Sequence, residues 1–142
     1  MKRASKWFSG KRVLKVSRRG QRVVMADSVR AVHAAYYVAT GVWPLVSRRT
    51  FERVTGPKSD FWLVQTVGLL VGSIGLGLAQ NLRRRGPVAP ELRTIAVASA
   101  VSLALVDVIF VSKGRIRPVY LVDAVAEAAL IAAWLRVYRY RN

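Results

Sequence analysis

Asp123 and Glu127 stand four residues apart, and Asp107 lies sixteen residues before the first of them. A D-x-x-x-E spacing puts both carboxyls on one face of a helix, one turn apart. Carboxyls that close do not both ionise freely, so such a pair suits a shared proton or a bound cation. With one acid protonated and the other ionised, the same groups would also serve acid–base chemistry on a lipid-soluble substrate. His33 is the single histidine of the chain. It recurs at helical spacing with Arg30, Tyr37 and Thr40, which suits a hydrogen-bonded interior histidine better than a proton shuttle. Tyr37 and Tyr120 are the hydroxyl donors expected beside the acids. The set expected to bind a ligand or a proton is therefore Asp107, Asp123, Glu127, Tyr120, His33 and Tyr37.

Other chemistries are excluded or unsupported. The chain has no cysteine, which removes disulfides, thiolate metal sites and thiol catalysis. One histidine cannot build a multi-histidine cage. There is no Gly-rich phosphate loop, no G-x-S-x-G elbow and no H-E-x-x-H pair. No cofactor and no metal are expected, no catalytic residue can be assigned, and the balance leans against an enzyme.

The acids are informative because of what surrounds them. Each lies in a stretch apolar enough to cross a membrane, where a carboxylate costs about 2.5–3.5 kcal/mol to insert. The last stretch carries two, and its aliphatic side chains return only a few kcal/mol. Facing lipid, the pair would cancel the drive to insert, so it should face an interior. Composition agrees: 53% of residues are hydrophobic while the formal net charge is +17. Apolar spans separated by basic loops combine the two easily.

Four spans near the ~20 residues of a bilayer core are predicted at 27–46, 61–82, 92–112 and 118–138. Asp27 and Ser28 suit the cap of the first, and Ser59 and Asp60 that of the second. Pro90-Glu91 and Pro118 suit the first turns of the third and fourth. Short connections make sequential helices antiparallel neighbours. The expected fold is an all-α, integral membrane four-helix bundle, with a basic arm at 1–26 and a basic tail at 139–142. Lys and Arg number fourteen at the ends and the 83–91 loop, against seven in the 47–60 and 113–117 loops. The positive-inside rule puts both termini in the cytoplasm. The first span reads as a signal anchor that stays. The arm reads as a topology signal and a contact for anionic head groups, with Trp7 and Phe8 as anchors, rather than as a nucleic-acid binder. Arg30 reads as a snorkelling residue.

Each span carries one small or polar stripe. In the second it is Gln65, Gly68, Gly72, Gly75 and Ala79, a small-xxx-small surface for close helix packing, within the bundle or between copies in a homo-oligomer. In the third it is Ala96, Ala100, Ala104 and Asp107; in the fourth, Tyr120, Asp123, Glu127, Ile131 and Trp134. At about 1.5 Å per residue, Asp107 and Asp123 sit at one depth and Glu127 one turn deeper. Tyr36 or Tyr37 can bridge His33 to Glu127. Asp107 and Asp123 could instead pair with Lys113, Arg115 or Arg117 reaching inward. Trp43, Trp62, Tyr138 and Tyr140 fit aromatic belts. The 47–60 loop could form a short interfacial helix ending at Thr55-Gly56-Pro57, with Glu52, Lys58 and Asp60 around a cavity; a solvated connection with internal ion pairs is the plainer expectation.

Two segments carry a resemblance. Trp43-Pro44-Leu45, Arg49-Thr50-Phe51-Glu52, Val54-Thr55-Gly56-Pro57-Lys58, Asp60 and Trp62-Leu63-Val64 look like a group of small bacterial four-span membrane proteins without an established activity. Tyr120-Leu121-Val122-Asp123-Ala124 and Glu127 are similar to that group's last helix. The likeness covers about residues 30–138 and implies a bacterial inner-membrane location and this architecture only. More loosely, the chain resembles four-helix membrane folds that bind amines or sterols through buried acids. The expected function is an acidic intramembrane cavity that binds, and moves, a small cationic or amphipathic ligand with proton exchange. The alternatives are a membrane enzyme acting on a lipid with Glu127 and His33, and a non-catalytic assembly subunit.

Overall fold

The computed structural model describes residues 18–84 and 88–139. The arm's residues 1–17, with Trp7 and Phe8, and Tyr140 in the tail lie outside the described residues. Among the described residues the chain is all-helical: α1 (Arg18–Val46), α2 (Arg48–Thr55), α3 (Phe61–Arg83), α4 (Pro90–Ser112) and α5 (Tyr120–Arg139). Two of these, α3 and α4, are long and apolar enough to cross a membrane. The other two long helices have the length but are studded with ionisable residues.

Local chemistry sets most of the boundaries. Pro90 opens α4 and Glu91 lies in its first turn, as expected. Pro118 instead precedes α5, in a turn that Tyr120 and Leu121 close by donating their amides to Arg117 and Pro118. Asp60 takes the N-cap position of α3 without a side-chain cap bond, and Ser59 donates to its carboxylate instead. Asp27 and Ser28 do not cap α1, because the helix already begins at Arg18. Asp27 pairs with Arg30 one turn on, and the Ser28 hydroxyl donates back to the Val24 carbonyl.

The 47–60 connection is partly helical. The Ser47 hydroxyl oxygen accepts the Thr50 amide and starts α2. Gly56, at φ 89, ends it and donates its amide to the Glu52 carbonyl. The internal ion pair is also present, Arg48 to Glu52 at 3.1 Å. The Arg48 guanidinium, helped by the Lys58 amide, holds the Glu52 carboxyl below the usual carboxylate range. Trp43, Phe51 and Phe61 stack edge to face across the junction of α1, α2 and α3.

Helix α1 packs along α3 and also meets α2 and α5; α4 packs on α5 and touches α3. The α1–α3 contact is a close approach of backbones. A Cβ on Gly41 would lie 2.5 Å from the Gly68 carbonyl oxygen, and one on Gly68 would lie 2.5 Å from that of Gly41. A Cβ on Gly75 would meet the Val38 amide nitrogen at 2.9 Å. The stripe through Gly68, Gly72 and Gly75 is thus covered by α1 of the same chain, while Gln65 is exposed.

Burial is inverted relative to a water-soluble bundle. The largest fully buried side chains are Trp134, Arg30, Tyr37, Leu78, His33 and Glu127. The apolar cluster beside them is small: Ala34, Leu78, Ala96 and Trp134. Meanwhile Val122 and Val125, on the same helix as the fully buried Glu127, are 71% and 69% exposed. Polar groups line the inside and aliphatic groups cover the outside.

Gly68→Ala should lower the thermal stability of the purified protein by about 1–3 kcal/mol, because its methyl collides with backbone. Gly72→Ala, whose Cβ would meet nothing within 4 Å, should be neutral or slightly stabilising. Melting curves of the two variants in the same detergent check this; equal losses would contradict the packing.

Candidate functional site

The polar face of α1 supplies one wall of the site. Arg30, His33 and Tyr37 are buried along it, and Tyr36 and Thr40 are half-buried. Opposite stands the α5 line, with Glu127 and Trp134 buried and Asp123 half-buried. The third wall is α4, through Ser99 and the buried Asp107.

Five side-chain contacts join these walls. The Trp134 indole N–H donates to His33 Nδ1 at 3.0 Å. The Tyr37 hydroxyl lies 3.2 Å from Glu127 Oε2 and 3.2 Å from Ser99 Oγ, as donor to either. Ser99 itself donates to the Ala96 carbonyl at 3.0 Å. The Tyr36 hydroxyl donates to Asp123 Oδ1, and the Asp107 carboxyl is within hydrogen-bond reach of Asp123. Carboxylate oxygens only accept, so a bond between these two acids exists only when one of them carries a proton. Asp107 Oδ2 is buried with no hydrogen-bond partner among the described residues.

The bridge between His33 and Glu127 falls to Tyr37, whose ring also meets His33 edge-on at 4.2 Å between centroids. Tyr36 serves Asp123 instead. Because an indole N–H only donates, His33 Nδ1 must be the unprotonated nitrogen, and the neutral ring carries its proton on Nε2. That Nε2 is buried without a partner among the described residues.

Two expectations about charge are corrected. Arg30 does not snorkel; it is buried, bonded to Asp27 and to the Asn81 side-chain carbonyl. Asp107 and Asp123 are not neutralised by Lys113, Arg115 or Arg117: among the described residues the ion pairs are Arg30–Asp27 and Arg48–Glu52. Tyr120 does not join the acids through a hydrogen bond. Its ring lies beneath the Lys58 ammonium, 5.0 Å from the centroid.

Two surface grooves lie away from the seam: one of about 420 Å³ between the α2–α3 link and the α4–α5 turn, one of about 350 Å³ between α4 and α5 around Arg93 and Tyr138. Neither is lined by Asp107, Asp123 or Glu127. Among the described residues no cluster of ligating side chains fits a metal ion. Spacing missed Ser99, Asn81 and the pairing of Trp134 with His33. Trp134 shared the Glu127 stripe, the one signal that could have found it.

Comparison with known proteins returns no matching family model, no curated relative and no solved structure of similar fold.

The His33 geometry is testable by ¹⁵N NMR of the imidazole at neutral pH. The wild-type ring should be the Nε2–H tautomer, and Trp134→Phe should shift it toward a mixture. A dominant Nδ1–H tautomer in the wild type would contradict the Trp134 bond.

Proposed function

We propose that this is a multi-pass protein of the bacterial inner membrane in which α1, α3, α4 and α5 all cross the bilayer, with both termini in the cytoplasm. The inverted burial supports this reading: aliphatic side chains cover the helices outside and ionisable ones line the seam. The insertion cost of the acids points the same way, since Asp107 and Glu127 are buried within the bundle. The lysine and arginine asymmetry supports the orientation. Reporter fusions at the C-terminus and within the 47–60 loop test it; a cytoplasmic loop reporter would reverse the topology.

Within that frame, the seam binds protons and exchanges them for a small cationic or amphipathic ligand. The observation that carries this is that Asp123 and Glu127 each accept from a tyrosine hydroxyl and Asp107 stands beside Asp123, while none of the three forms an ion pair among the described residues. A proton between Asp107 and Asp123 satisfies both groups without any cavity. A larger cation enters only when α4 and α5 shift from α1, and their contact with α1 is the weaker one: α1 packs far more extensively on α3 than on α5. A second copy, where a transport path needs one, would dock away from the Gly68, Gly72 and Gly75 face that α1 covers.

The infrared carbonyl band of a protonated carboxylic acid should be present in the wild-type protein at neutral pH and should be lost or reduced in Asp107→Asn and Asp123→Asn. In proteoliposomes loaded with a pH dye, an inward gradient of a small amine cation should drive proton efflux, and Asp123→Asn or Glu127→Gln should cut it at least about tenfold. A wild-type band and wild-type flux in these variants would end the reading.

A further inference from the structure

The groove between the α2–α3 link and the α4–α5 turn has an uncompensated charge. Lys58, Arg115 and Arg117 line it together with Val111, Ile116 and Pro118, and no acidic side chain does. The sequence suggested that Glu52 and Asp60 would stand around such a cavity. Instead, Glu52 is engaged by Arg48 and by the Lys58 amide at 3.1 Å each. The ion pairs among the described residues involve none of the three cations.

Lys58 and Arg117 make neutral contacts only, and Arg115 is exposed. The Lys58 ammonium donates to the Thr55 carbonyl at 3.1 Å and lies over the Tyr120 ring. Arg117 lies so close over Gly56 that a Cβ there would come 2.8 Å from its Nε. Glycine at that position, at φ 89, serves both the turn and the arginine. On the other side Gly114, at φ 64, closes the turn that presents Arg115 and Arg117.

Three like charges converging on one concavity repel one another, and an anion relieves them. Guanidinium groups match the oxygens of a phosphate in a two-pronged geometry that a lone ammonium does not offer. The volume, about 420 Å³, falls in the range of small-molecule sites. The valine, isoleucine and proline walls would suit an apolar or glycerol body joined to that phosphate. We propose that this groove binds the phosphate group of a phosphate ester, either an anionic lipid head group or a soluble ester. The inference does not rest on the acid seam, whose residues are not part of the groove.

The test uses the full chain in neutral detergent. Native mass spectrometry after incubation with phosphatidylglycerol or phosphatidylcholine reads the lipid arm; calorimetric titration with sn-glycerol 3-phosphate reads the soluble arm. The double variant Arg115→Gln/Arg117→Gln removes the exposed cations, Lys58→Gln the half-buried one, and Arg83→Gln serves as a control distant in sequence. Retention of phosphatidylglycerol over phosphatidylcholine, weakened about 10- to 30-fold in the double variant and unchanged in Arg83→Gln, supports a head-group site. Glycerol phosphate binding with the same dependence and no lipid preference supports a soluble ester. Binding of neither probe, or a loss in Arg83→Gln equal to that in the double variant, overturns the proposal.

Discussion

A buried donor or acceptor left without a partner costs on the order of 1–3 kcal/mol, and α1 carries a whole face of such groups into the bundle. That constraint sets the arrangement of the other helices. Arg30 is met by Asp27 and by Asn81 of α3, His33 by Trp134 of α5, Tyr37 by Glu127 of α5 and Ser99 of α4, and Tyr36 by Asp123. His33 meets Trp134, and the tyrosine pair one turn further along α1 meets Asp123 and Glu127, two to three turns earlier on α5. Such a descending order belongs to antiparallel helices in a single register. Sliding α5 by one turn would strand several of these groups at once.

Apolar packing then serves two purposes in two places. Between α1 and α3 it is backbone on backbone, made possible where Gly41, Gly68 and Gly75 lack a side chain. Between α1 and α5 the contact is made through side-chain polar atoms instead. Dispersion holds the first pair and directed hydrogen bonds position the second. The small apolar cluster around Leu78 and Trp134 joins the two.

Much of this organisation was legible in the residue spacing. The limits of α3 and α4 fall within two residues of expectation, since Asp60 and Pro90 mark their starts. The stripes were right for Ala96, Ala100 and Asp107 and for Glu127 and Trp134, because periodicity alone tells which residues share a face. What periodicity does not contain is which face meets which. The partner of His33 lies 101 residues away and that of Tyr36 lies 87 away. Arg30 was misread because arginines near a span end usually reach for water, and nothing local announced Asn81. The start of α1 was misread because Asp27 has the chemistry of a cap and spends it on a side chain instead.

Pro44 lies inside α1, buried against Gly68, where a Cβ would meet its ring at 3.2 Å. A proline has no amide hydrogen, so the Thr40 carbonyl loses the rung that would tie it to position 44. The turn from Thr40 to Pro44 is instead held from outside, by the α3 backbone at Gly68 and Gly72 closing on Gly41. The same turn carries Trp43 into its edge-to-face contact with Phe51. Interhelical backbone contact thus substitutes there for the missing rung.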